Sequence, residues 1–197
     1  MPEPQTQAKI LAAAKEALLE VGYASLSTRR IAESAGVPLS QIHYHFGSKQ
    51  KLVLELLDEE NRLLLQRQQH MYGQDVALWK RWEQACDFLE DDITSGYVRV
   101  LQEMTAAGWS DAAIAARVRD DVRAWFELLA GVATDAVERL DGASPFTPRE
   151  LAVLTSTTFL GVESMILLGF TEEDMPMRSA LRSVGEMIRR FEDPDAG

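Results

Sequence analysis

The chain has 197 residues, 46% of them hydrophobic and 26% charged, which excludes wholesale disorder and allows a buried core without a disulfide or metal staple. Its single cysteine, Cys86, excludes an intramolecular disulfide framework and fits a reducing compartment. The net charge of -11 hides an asymmetry: residues 1–52 carry six cations against four anions, an excess of two positive charges. The remainder carries fourteen cations and twenty-seven anions, a balance of -13, so one slightly basic end sits on a strongly acidic body.

The elements read as helix throughout. A first helix runs from about Gln5 to Val21, with Ile10, Leu11, Ala14, Ala17, Leu18 and Val21 on one stripe and Gly22 as its stop. Ser27 is placed to cap a short second helix, Thr28 to Ala35, closed by Gly36. A third helix begins at Pro38, where a missing N–H costs nothing, and ends near Phe46-Gly47. Ser48 caps a long fourth helix reaching toward Met71. After Gly73-Gln74-Asp75, the spacing of Trp79, Trp82, Cys86, Leu89 and Ile93 predicts a fifth helix; Tyr97, Leu101 and Met104 mark a sixth. The seventh is predicted over Asp111 to Leu140, followed by the loop Asp141-Gly142-Ala143-Ser144-Pro145. Thr147-Pro148-Arg149-Glu150 combines a capping box with a first-turn proline and opens an eighth helix to about Phe170; a ninth runs from about Met175 to Phe191. The expected fold is all-α. No run approaches eighteen apolar residues and the N-terminus has no apolar signal segment, so neither a membrane span nor a secretory signal is expected, and the expected location is cytoplasmic.

The stretch STRRIAESAGVPLSQIHYHFGSK, Ser27 to Lys49, is the most informative. Two short helices joined by Ala35-Gly36-Val37 have the size and turn of a helix-turn-helix. Ile42 and Phe46, one turn apart, face inward with Ile31, Ala32 and Val37, toward Leu11, Ala14 and Leu18. The opposite face of the third helix then offers Leu39, Ser40, His43 and Tyr44 outward, a surface that fits a major groove. Any two packed short helices share the apolar part of this pattern.

The run TRRIAESAGVPLSQIHYHFGSKQKLV, preceded by Gly22-Tyr23, resembles the N-terminal domain of TetR/AcrR-family transcriptional regulators. The resemblance covers roughly the first quarter of the chain. It implies a three-helix DNA-binding domain at residues 1–50 and a helical ligand-binding and dimerisation domain at residues 51–197. It places Thr28 on a phosphate, Arg29 on a base edge or phosphate, and Leu39, Ser40 and His43 at base-facing positions. Gln41, Tyr44 and His45 fall where phosphate or sugar is contacted, and Lys49 where the backbone is clamped. Leu39 and His43 depart from the family's usual basic or polar residue and tyrosine, so hydrogen-bonded readout is expected to be thin.

Other signals carry less. His43 and His45 lie two apart on a helix and project about 200° from each other, so no shared metal is expected. Cys86, on the Trp79/Trp82/Leu89 stripe, is expected as a small buried hydrophobe. No catalytic order of residues or phosphate loop is present; no enzyme activity and no cofactor are expected, and the acid pairs Glu59-Glu60, Asp91-Asp92 and Asp120-Asp121 are expected as solvated faces. The aromatic cluster Trp79, Trp82, Trp109, Trp125 and Phe126, with Met104, either fills core or lines a cavity for a flat or apolar effector, flanked by Glu83 and Glu103. Met177, Leu181, Val184, Ile188 and Phe191 form a seam, and Thr157, Gly161, Ser164 and Leu168 a small-residue face. These pack either within one chain or, as expected here, in a homodimer. The expectation is a dimeric, ligand-responsive regulator of operator DNA, a repressor; the alternative is a helical small-molecule or protein-binding module without specific DNA binding.

Overall fold

The computed structural model describes residues 3–139 and 144–193, so Leu140 and the Asp141-Gly142-Ala143 part of the expected loop lie outside the described residues. Among these, the chain forms nine helices: α1 (Glu3–Ser25), α2 (Thr28–Ala35), α3 (Leu39–Phe46), α4 (Lys49–Tyr72), α5 (Leu78–Ser95), α6 (Tyr97–Gly108), α7 (Ala112–Arg139), α8 (Pro148–Leu167) and α9 (Met177–Glu192). The fold is all-α, an N-terminal helix-turn-helix domain followed by a helical domain. It divides into two compact units, Met1–Leu63 with Gly96–Asp121, and Leu64–Ser95 with Val122–Gly197.

The local chemistry sets most helix ends. Ser27 Oγ accepts the Arg30 backbone N–H at 3.2 Å, and Gly36, left-handed at φ 59°, closes α2 by donating to the Ala32 and Glu33 carbonyls. Thr147 and Glu150 form the reciprocal capping box of α8. Two boundaries differ from the sequence reading. Pro38 has ψ 142°, still extended, so α3 starts at Leu39. Gly22 does not end α1 but breaks it, with φ 73° and ψ 164°, before a last turn to Ser25. That turn is held by the Tyr23 N–H, which donates to Glu103 of α6 at 3.1 Å.

In the first unit α1 packs on α2 and α2 on α3, with Ile10, Ala14 and Leu18 of α1, Ile31, Ala32 and Ala35 of α2, and Ile42 and Phe46 of α3 all buried. α6 packs on α1 where Gly96 permits it: Gly96 has φ +83°, and a Cβ there would lie 2.6 Å from Leu19 Cδ1. Gly96→Ala is therefore expected to cost about 1–2 kcal/mol from the left-handed backbone alone. A thermal melt would register this as a lowered Tm, and an unchanged Tm would refute it.

The second unit is built on α5. Trp82 Nε1 donates to the Leu181 carbonyl at 2.6 Å and its ring meets Phe159 edge-on, while Gly185 of α9 leaves room for that indole, with a Cβ position 3.0 Å from Trp82 Cδ1. Cys86 is buried between Leu89, Phe159 and Leu181, and burial pushes its thiol up to about 11, so it behaves as the expected hydrophobe. α8 is, among the described residues, the helix long and apolar enough to cross a membrane by length and composition. It nevertheless carries a capped N-terminus and a buried acid, Glu163, toward its C-terminal end, and turns Ala152 and Phe159 into the unit.

Candidate functional site

The outward face of α3 follows from its inward one. Because Ile42 and Phe46 are buried, Ser40, His43 and Tyr44 project to solvent, with Leu39, Gln41 and His45 half-buried beside them. His43 Nδ1 lies 3.3 Å from the Gly47 carbonyl, a contact that needs the proton on Nδ1 and leaves Nε2 pointing outward as an acceptor when the ring is neutral. Tyr44 packs edge-on against His45 at 5.0 Å. On α2, Thr28 is half-buried in the first turn and Arg29 is exposed with no ion pair among the described residues. Its neighbour Arg30 is tied to Glu20 at 2.7 Å. Lys49 serves the fold as well: its ammonium donates to the Tyr23 carbonyl at 3.0 Å and lies 4.4 Å over the Tyr23 ring, leaving two N–H donors.

The aromatic residues singled out in the sequence do not form one group. Met104 is fully buried in the first unit and Trp109 stands 83% exposed at the end of α6. Glu103 is engaged by the Tyr23 N–H and by Arg99, so its carboxylate serves the α1 break rather than a cationic ligand. In the second unit Trp125 donates to Gln68 Oε1 at 2.8 Å, and Phe126 carries the Arg149 guanidinium at 4.8 Å. Trp79 stacks with Lys80. Trp82 alone of the six lines the cavity of this unit.

That cavity, about 490 Å³, lies within the size range of small-molecule sites. Tyr72, Leu78, Arg81, Leu129, Ala133 and Thr155 line it, and so do Leu181, Val184, Ile188 and Phe191 of the predicted seam. The sequence reading missed Arg81 and the α7 wall. The signal for the wall is Ala133 and Ala136, two small residues about one turn apart, which leave space where larger side chains would fill it. Arg81 is buried and pairs with Asp135 at 2.5 Å and the Gln74 carbonyl at 3.0 Å. Glu192 caps α5 by accepting the Leu78 and Trp79 N–H groups at 2.9 and 3.0 Å.

The seam therefore packs inward over much of its length. Met177 and Leu181 are buried, Val184 and Ile188 half-buried, and Phe191 exposed. On α8, by contrast, Thr157, Gly161 and Leu168 are exposed and Ser164 is half-buried. The acid pairs also divide. Asp92 is buried and ion-paired with Arg67; Asp121 accepts from Asn61 at 3.1 Å, and burial with Asp58 nearby pushes its carboxyl up to about 6. Neither is a solvated surface acid.

Residues 10–56 match the family described as bacterial regulatory proteins, tetR family. No curated protein matches the sequence. Among solved structures, the transcriptional regulator FadR from Bacillus subtilis, in complex with stearoyl-CoA, aligns at 17% identity and TM-score 0.74 over 92% of this chain and 96% of that one. A candidate transcriptional regulator from Saccharomonospora viridis in complex with choline aligns at 20% and 0.75 over 93% and 96%. A TetR-family regulator from Agrobacterium tumefaciens aligns at 19% and 0.73 over 95% and 98%.

Proposed function

We propose, from the premise that this chain is a tetR-family regulator by its N-terminal domain, that it is a dimeric repressor released from its operator by a small apolar or aromatic molecule. Residues 1–50 are the DNA-binding domain and residues 51–197 the ligand-binding and dimerisation domain, acting in the cytoplasm. The observation that carries the reading is the exposed face of α3, Ser40, His43 and Tyr44, held rigid by buried Ile42 and Phe46. Each α3 enters one major groove, two successive grooves being about 34–36 Å apart on one side of the duplex. Ser40 and the outward Nε2 of His43 meet base edges, Leu39 a thymine methyl, and Thr28, Arg29, Gln41, Tyr44, His45 and Lys49 the backbone.

The second copy meets the exposed stripe Thr157, Gly161 and Leu168 of α8 and the outer residues of α9. Small side chains there let backbones approach closely, and a two-fold partner matches a palindromic site. The unit-two cavity supports the effector role. An effector releases DNA by binding one conformer of the dimer more tightly than the other; equal affinity for both shifts nothing.

A mobility shift with the DNA upstream of the chain's own gene, titrated with salt, tests this. A specific complex is expected at modest salt, its affinity falling steeply and linearly in log-log form as phosphate-bound counterions are released. A chain that forms no specific complex at modest salt is instead the helical binding module.

A further inference from the structure

The second unit holds a cleft whose mouth is unfinished. It opens between the first half of α8 and the second half of α9, over a floor from α5 and α7. Its interior is apolar, yet its rim residues Leu154, Met187 and Phe191 are 48%, 61% and 62% exposed. Clustered apolar side chains of this size facing water mark surface that a partner covers. The stripe that starts at Leu154 continues along α8 through Thr157 and Gly161 to Leu168, which is 71% exposed. The rim is thus one end of the face assigned above to the second copy.

We propose that the second copy roofs this cleft, so that the ligand site is complete only in the dimer, and that it excludes anions and takes an apolar molecule bearing an acceptor oxygen, such as a ketone, ester or alcohol. The proposal rests on the dimer reading given above. The charge follows from the lining. Arg81 is paired with Asp135, and Glu192, which accepts two N–H groups of α5, keeps its negative charge. An anion sealed beneath the roof finds no free cation and faces the Glu192 carboxylate, and burial of an unmatched ion is strongly unfavourable. The acceptor follows from the donors left over. Thr158 already donates to the Leu154 carbonyl and Ser144 to that of Phe146. Arg81 Nε–H is buried with no partner, and the hydroxyls of Tyr72 and Thr155 have none among the described residues. One oxygen on an otherwise apolar ligand meets that need.

The test uses the full chain and prodan, an uncharged naphthyl ketone whose emission reports polarity. Sedimentation velocity gives the monomer–dimer equilibrium, and prodan is titrated above and below it. Leu168→Glu, on the outer stripe and away from the cleft, supplies a monomer whose folding is checked by circular dichroism; dilution of the unaltered chain supplies a second. Prodan is expected to bind the dimer at least tenfold more tightly than either monomer. By linkage, saturating prodan strengthens dimerisation by the square of the factor by which dimerisation strengthens prodan binding, because two sites are filled per dimer. The anionic dye 8-anilinonaphthalene-1-sulfonate is expected to bind the dimer at least tenfold more weakly than prodan. Equal prodan affinity in monomer and dimer, no prodan binding to the dimer, or equal affinity for the anionic dye overturns the proposal. A chain that stays monomeric at every concentration overturns the dimer reading itself, which separates the two failures.

Discussion

Arg29→Glu is expected to lower operator affinity by roughly two to four powers of ten. Arg29 lies in the first turn of α2, exposed, with no ion pair among the described residues, whereas Arg30 beside it is held by Glu20. Its guanidinium is therefore available to a phosphate or base edge without breaking a contact of the fold. A hydrogen bond to a charged group contributes about 1.5–3 kcal/mol, and a two-fold dimer loses two, about 3–6 kcal/mol in all. The loss is expected on every sequence if the contact is to phosphate, together with a shallower salt dependence, by roughly two in the log-log slope. Fluorescence anisotropy on a labelled duplex at several salt concentrations reads both quantities. Unchanged affinity in the Glu variant removes Arg29 from the interface. Lys49 is a poorer probe of the same question, because its ammonium also holds the Tyr23 turn, so charge reversal there disturbs the head as well as its contacts.

Glu163→Gln is expected to stabilise the protein at pH 9 and to change it little at pH 5. Glu163 is buried in α8 with Oε2 unpartnered, and burial, aided by the neighbouring Asp92 carboxylate, pushes its carboxyl up to about 8. Between the ordinary value of 4.5 and about 8, the folded chain holds a proton that the unfolded chain has released. The stabilisation is complete below 4.5 and lost as pH rises through the folded value. That interval corresponds to roughly 4–5 kcal/mol at most, and glutamine keeps the shape without the titration. Denaturant unfolding at fixed protein concentration, at pH 5, 7 and 9, measures it. The wild-type midpoint should fall further across the series than that of the glutamine variant, which retains the other titrating groups such as Asp121; parallel curves would refute the assignment.

The sequence by itself determined the helical class, the nine elements and the outward face of α3. These are local properties: a cap such as Ser27 or Thr147 acts within three residues, and burial of Ile42 and Phe46 orients Ser40 and His43 through the pitch of one helix. The stretch that matches the tetR family, within residues 10–56, was legible for the same reason, its features lying within one continuous run. Only the tertiary structure decided the rest. It separated Met104 and Trp109 from the cavity that Trp82 lines, turned Met177 and Leu181 inward, buried Asp92 against the expectation of a solvated face, and buried Glu163 as well. The i, i+3, i+4 spacing of an apolar stripe says that a helix has a face to bury, but not which neighbour buries it. That neighbour comes from residues a hundred positions away, as when the Leu181 carbonyl receives the Trp82 indole N–H.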